Sequence, residues 1–268
     1  ASKTQPLYTA SLMLNAGSIT GWAIPAAYSN DMEQALEQLY TANTEADGSV
    51  FLFAVGDGNH SLATAKAVWD VYKEQHGGVR QQDGTVLLPK ELEHSLLRYA
   101  LVEIVNLYDT GLTFEPIHRV IFKADAQNLI GFLQTKLGGA IIPCTTSAEL
   151  RNKVEHSSAA FGFIAPKDSF VCLDTDTSGL AVSALQPLLD DYIKTHQLEI
   201  DYIHGAEEAF RLPQHKDAVS ILLPPIAKDS FFSTIAKQGS LPRKSFSMGE
   251  ASEKRFYLEC RKLLEPDS

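Results

Sequence analysis

Residues 50–55, Val-Phe-Leu-Phe-Ala-Val, form an unbroken apolar run of strand length, and two glycines follow at once in Gly56-Asp57-Gly58-Asn59-His60-Ser61. Helical spacing begins beyond them: Leu62, Ala65, Trp69 and Tyr72 share one face of a helix over about residues 61–75. This order predicts a buried strand, a tight turn and a helix with that face toward the core. Glycine opens backbone conformations closed to other residues and lets a ligand approach the main chain. The first N–H groups of a helix lack internal partners, and the macrodipole adds partial positive charge there. Such a corner suits a phosphate or carboxylate without any basic patch. His60 and Ser61 add side-chain donors, Thr64 lies one turn on, and Lys66 reaches the turn only if its stem folds back. The plain structural alternative is a corner in which Asn59 or Ser61 caps the helix and the glycines only bend the chain.

Two better-known phosphate motifs fit poorly. Gly56-x-Gly58-x-x-Ser61 is one residue short of the dinucleotide fingerprint, and the polar residues 78–91 stand where that motif needs a second strand. A P-loop needs Gly-Lys-Ser/Thr, which is absent.

Elsewhere the periodicity alternates. Residues 7–14 and 19–24 read as strands joined by a turn at 15–18, and Ser29 or Asn30 caps a helix to about Ala42 with Met32, Ala35, Leu36 and Leu39 at helical spacing. His76-Gly77-Gly78 stops the second helix, residues 78–91 form a surface excursion, and 91–97 a short helix. Strands are predicted at 99–107, 114–122, 161–165, 170–173, 200–203 and 218–222. Helices are predicted at 126–137, 148–156, 184–196, 205–210, 229–237 and 251–264. The interleaving has no regular period, so the class is α+β (mixed α/β), with a division between residues 1–123 and 124–268.

The chain has 268 residues, 44% of them hydrophobic, enough to bury a substantial core. Its net charge of −10 argues against general nucleic-acid binding, which needs a basic surface. No apolar run is long enough for a membrane helix and no signal peptide opens the chain, so the expectation is a soluble cytoplasmic protein. It begins Ala-Ser-Lys-Thr, and a trimmed fragment is expected. Cys144, Cys172 and Cys260 form no C-x-x-C pair and read as idle thiols in a reducing compartment.

Three further clusters stand out. Glu115-Pro116-Ile117-His118-Arg119 puts a carboxylate, an imidazole and a guanidinium at a strand end, His118 and Arg119 on opposite faces. Its functional reading is a contribution to the glycine-turn pocket, its plain one a surface ion pair. Pro242-Arg243-Lys244-Ser245-Phe246-Ser247 is a basic and hydroxyl cluster, either an anion contact or a solvated loop. Asp174-x-Asp176-x-Ser178-Gly179 begins like a calcium loop, but its twelfth position is Leu185, so a hairpin turn is expected. The eight histidines show no paired ligand spacing, and no metal site is predicted.

Residues 56–66, Gly-Asp-Gly-Asn-His-Ser-Leu-Ala-Thr-Ala-Lys, resemble the signature turn of the domain-of-unknown-function 1015 family, which carries Asp-Gly-His-His-Arg there. Residues 115–119 resemble its Pro-x-His-Arg motif, and Leu241-Pro242-Arg243-Lys244-Ser245 its Pro-Pro-Lys-Ser-Thr motif. The family is similar in turn to ParB/sulfiredoxin-like proteins, including nucleotide-dependent free-serine kinases. The resemblance implies a ParB/sulfiredoxin-like core with an additional helix–strand subdomain, and a nucleotide-binding part in residues 1–123. It also implies ADP or ATP with Mg²⁺ as cofactor and a small hydroxyl compound as substrate. Gly56, Asp57, Gly58, Asn59, His60, Ser61 and Thr64 would hold phosphate, with Glu115, His118, Arg119, Lys244 and Ser245 as auxiliary contacts. Ser61 stands where the family has Arg, which removes one charged phosphate contact. Family members carry a longer N-terminal region bearing the acidic base of the serine kinases, so this chain alone is expected to bind without catalysis. A nucleotide-sensing module and a structural interaction domain are the alternatives.

Overall fold

The structure, a computed structural model, describes residues 5–248 and 258–263. Contacts divide the chain into a smaller unit, residues 1–106 with 251–268, and a larger one, residues 107–250.

The smaller unit opens with an antiparallel hairpin, β1 (Tyr8–Ser11) and β2 (Ser18–Gly21), registered Tyr8 to Gly21 and Ser11 to Ser18. Its turn carries Asn15 and Gly17 at positive φ, a conformation those two residue types tolerate. Helix α1 (Ser29–Ala42) follows, with no buried residue. Helix α2 (Asn59–Gln75) ends where expected, with His76 as its C-cap and Gly77 at φ 91.

Two expected strands do not form. Residues 50–55 and 99–107 belong to no strand, and Val50 forms an isolated bridge with Thr44. A strand requires a partner row of backbone donors and acceptors, which local apolarity cannot supply. The expected core face of α2 is corrected as well. Leu62, Trp69 and Tyr72 are half-buried and Ala65 is exposed, while Asp70 and Lys73 are the buried positions. Asp70 bridges Lys66 at 2.6 Å and Lys73 at 2.9 Å, and Lys73 Nζ donates to the Val86 carbonyl at 2.6 Å. An ion cluster thus occupies the stripe of the helix beside the face predicted to be apolar. The short helix expected at 91–97 is two 3₁₀ turns, Lys90–Leu92 and Leu96–Arg98.

The larger unit is built on an antiparallel sheet. Its strands are β3 (Phe114–Phe122), β4 (Ala140–Cys144), β5 (Ala160–Ala165), β6 (Ser169–Asp174), β7 (Glu199–His204), β8 (Ala218–Leu222) and β9 (Phe246–Met248). They run β4-β6-β5-β8-β3-β7, with β9 on the first residues of β3. Side-chain alternation sorts β5 onto two cores. Phe161 and Phe163 pack with Ile121, Val219 and Ile221 against α3 (Ala126–Leu137) and α5 (Ala181–His196). Ala160 and Ile164 pack on the other side with Leu222, against α4 (Ser147–Glu155) and α6 (Ala206–His215). Gly162 lets α4 approach: a Cβ there would lie 2.9 Å from Val154 Cγ2 and 3.1 Å from Leu150 Cγ.

Two of these helices start on side-chain caps. Asp125 accepts from the Asn128 N–H at 2.8 Å, and Thr146 Oγ1 accepts from the Glu149 N–H at 3.1 Å while Glu149 accepts from the Thr145 N–H at 2.9 Å. Helix α7 (Lys228–Gln238) packs Phe231 on Phe114 and Phe246 at ring separations of 5.0 and 5.3 Å. Helices on both faces of an antiparallel sheet make the chain α+β. The helix expected at 251–264 falls largely outside the described residues, and residues 258–263 are not helical.

Candidate functional site

Gly58, not Asn59 or Ser61, is the N-cap of α2; it sits at φ 85, ψ 15, in the left-handed region. Its carbonyl accepts from the Leu62 N–H at 2.9 Å, and its own N–H donates to Asp57 Oδ1 at 2.8 Å. No side chain caps the helix. The amides of Asn59, His60 and Ser61 therefore precede the first intrahelical bond and point out of a 17-residue helix. A Cβ on Gly58 would meet nothing within 4 Å, so the corner opens to solvent rather than onto packed chain. Gly56, Asp57, Asn59, His60, Ser61 and Thr64 are exposed around it.

Lys66 does not fold back. Its ammonium is bound 2.6 Å from Asp70, farther along the helix. That ion pair, and then the one with Lys73, holds the Asp70 carboxyl below the usual carboxylate range. The Lys66 ammonium is thus turned away from the corner, which presents main-chain amides and the positive end of the helix dipole.

The other expected site residues lie in the larger unit, where two of the motifs meet. Strand β9 pairs Phe246 with Pro116 and Ser247 with Glu115, setting Lys244-Ser245 beside the entry to β3. Ser245 is buried and donates to the Pro242 carbonyl at 2.5 Å, whereas Lys244, at φ 57, and Glu115 are exposed. Pro116, Ser245 and the first turn of α5 line a cavity of about 30 Å³, enough for a bound water.

His118 and Arg119 face opposite sides of the sheet, as alternation requires, and both are buried. The imidazole Nδ1 accepts from the Leu223 N–H at 3.2 Å. Burial first, then the neighbouring Arg119 charge, pushes its pKa down to about 4. Arg119 is fully buried, and its Nε donates to Gln186 Oε1 at 3.0 Å and Nη1 to the Ile117 carbonyl. Its guanidinium lies over the Tyr202 ring, 5.2 Å from the centroid, and Nη2 has no partner among the described residues. Burial lowers its pKa to about 10, which leaves it charged at neutral pH. Neither side chain forms the surface ion pair that the plain reading expected.

Sequence reasoning missed the shell around Arg119. Gln186 donates to Asp190 at 2.8 Å and to the Tyr202 hydroxyl at 3.3 Å, and Arg243 lies 3.6 Å from Asp190 and over the same tyrosine ring. The i, i+4 spacing of Gln186 and Asp190 on a helix was the available signal.

Residues 174–179 lead from β6 into α5 and are not the hairpin turn expected, because Thr175 donates to the Ala159 carbonyl and Thr177 N–H to Thr175, turning the chain toward the helix. Among the described residues no group of three His, Cys, Asp or Glu could hold a metal, and no helix is long and apolar enough to cross a membrane. Cys144 and Cys172 are buried, and burial raises both thiols, Cys172 to about 11, which suits inert side chains. Cys260 is exposed.

No curated protein matches the sequence. Among solved structures, a conserved hypothetical protein from Pyrococcus furiosus is similar at 13% identity with a TM-score of 0.47, over 83% of this chain and 84% of that one. Free serine kinase in complex with AMP is similar at 13% identity with a TM-score of 0.44, and a mutant of it in complex with ADP at 13% and 0.46. Each of these two covers 82% of this chain and 80% of the kinase. Residues 1–194, more than half of the chain and the glycine turn and Pro-x-His-Arg segment with it, match the model of the family described as "Protein of unknown function (DUF1015)", and the protein belongs to that family.

Proposed function

We propose that the turn Gly56–Ser61 binds the phosphates of a nucleotide, ADP or ATP, in a phosphotransferase-like protein that acts on a small hydroxyl compound. The observation that carries this reading is the uncapped, solvent-open start of α2 behind a left-handed Gly58. The amides of Asn59, His60 and Ser61 would hold phosphate oxygens, with His60 and Thr64 as side-chain donors. Mg²⁺ would arrive on the phosphates, since Mg²⁺ is bound mostly through water and substrate oxygens. Glu115, His118, Arg119, Lys244 and Ser245 lie on or beside strand β3 of the larger unit, and their auxiliary role is part of the proposal. Residues 1–123 would be the nucleotide-binding part. A cytoplasmic protein is the setting in which ADP and ATP are at hand.

A nucleotide-sensing role without catalysis is the second reading. It is favoured by the turn's lack of a cationic side chain, with Lys66 committed to Asp70.

Titration calorimetry of this chain with AMP, ADP and ATP, with and without Mg²⁺, tests the proposal beside Gly58→Val and His60→Ala. Saturable binding that Gly58→Val abolishes is expected, because a side chain at φ 85 is strained. Binding that both variants keep unchanged would remove the turn as the site. Turnover of ATP or ADP with a hydroxy amino acid by the full-length protein separates kinase from sensor.

A further inference from the structure

Little apolar burial holds the smaller unit together. Val86 and Leu92 are its buried hydrophobic side chains among the described residues, whereas Phe53 is 57% exposed and Ile104 70%. Polar contacts made by residues 258–263, which belong to the same unit, join its pieces instead. Tyr8 of β1 lies opposite Gly21 of β2. A Cβ at Gly21 would fall 2.3 Å from Tyr8 Cζ and 2.6 Å from its hydroxyl oxygen, so only glycine leaves the ring room to lie across β2. From there the phenol donates to Glu259 Oε1 at 2.5 Å. Two residues on, Arg261 Nη2 donates to the Leu96 carbonyl at 2.9 Å and to the Tyr99 carbonyl. Both carbonyls belong to the 3₁₀ turn Leu96–Arg98 and its C-cap, so the guanidinium sits where a helix end favours a cation.

Glu259 and Arg261 thus bind two separate pieces of the unit, the β1–β2 hairpin and the 96–99 turn, from one short segment. The contacts are exposed and join residues 251 and 165 positions apart. Few, solvated, long-range polar contacts belong to the low-stability end of a fold and open without global unfolding. We infer that residues 258–263 are a releasable clasp. Closed, Glu259 and Arg261 tie the hairpin to the 96–99 turn and order the smaller unit. Open, those two pieces loosen while the larger unit keeps its fold. The glycine turn lies in the same unit, so the clasp sets how much of the time that unit is ordered. The inference rests on the contacts alone and is independent of the nucleotide reading.

Hydrogen exchange on the full chain tests it, comparing the parent with a Glu259→Ala, Arg261→Ala double variant. Lys262→Ala, in the same segment but outside both contacts, is the control. The double variant should exchange about tenfold faster at residues 7–21 and 95–99, with residues 160–165 and 218–222 unchanged. Lys262→Ala should exchange like the parent. A second readout approaches the clasp from its other side. Cys260 is exposed while Cys144 and Cys172 are buried, so a maleimide dye labels the segment selectively. Gly21→Ala displaces the Tyr8 ring without touching residues 258–263, and the dye's anisotropy should fall in that variant. The inference is overturned if the double variant exchanges like the parent, if its loosening extends to residues 160–165 and 218–222, if Lys262→Ala loosens the unit equally, or if Gly21→Ala leaves the anisotropy unchanged.

Discussion

Protonating His118 would put a second positive charge beside buried Arg119 and near Arg151. The folded imidazole titrates near 4 against 6.5 when unfolded, so the unfolded chain takes up the extra proton as pH falls between those values. Its contribution to stability is full above about pH 6.5 and declines toward pH 4, by roughly 3 kcal/mol in total. Urea unfolding at pH 7 and pH 4.5 should show this loss in the parent chain and a smaller one in His118→Gln. For Arg119, truncation to Ala should destabilise by about 3 kcal/mol, since it empties a packed site. Arg119→Met fills that site without a charge and should lie within about 1 kcal/mol of the parent. If Arg119→Met is this stable yet weakens nucleotide binding in calorimetry, the guanidinium serves the ligand and not the fold. The identities of these residues were legible from the Glu-Pro-Ile-His-Arg segment, and so were their opposite faces. Their burial was not, because it depends on α5 and on residues 202 and 223, far away in sequence.

Local signals decided most helices. Asp125 and Thr146 announce α3 and α4 because a cap acts within four residues of itself, and α3 and β8 fall at the predicted boundaries. Thr146→Ala should therefore destabilise the chain by about 1 kcal/mol in thermal or urea unfolding. Strands β4 and β9 escaped notice for the converse reason: Pro143 and the three-residue length of β9 give little periodicity, and pairing alone defines them. The same logic misplaced residues 50–55 and 99–107, whose apolarity needs a partner row to become a strand. Gly162 could not be read as a packing glycine either, since the contact is with α4. Gly162→Val should lower the melting temperature markedly by driving α4 off the sheet.

At the scale of the whole chain, apolar burial is unevenly shared. The larger unit holds both hydrophobic clusters, and the smaller has two buried hydrophobic side chains among its described residues. Limited proteolysis should cut first within residues 99–106 and leave a resistant core containing residues 114–222, seen by mass spectrometry of the digest. Early cutting within 160–222 would contradict this distribution. The α+β class was visible in the interleaved periodicities, but composition averages over the chain and cannot show which part keeps its hydrophobics inside.

The placement of Pro143 carries a consequence for behaviour at high concentration. It lies in β4, the outermost strand on one side of the large sheet, where a proline is tolerated and interrupts the row of donors that a stray strand would grip. The opposite margin, β7, shows Glu199 and Asp201 to water. Both rims are thus chemically blunted against fibril-like stacking, one by geometry and one by repulsion. A preparation of this protein should clump, if at all, through the bare segments of the smaller unit, and Pro143→Val would open a second route by giving the sheet a rim that accepts another strand.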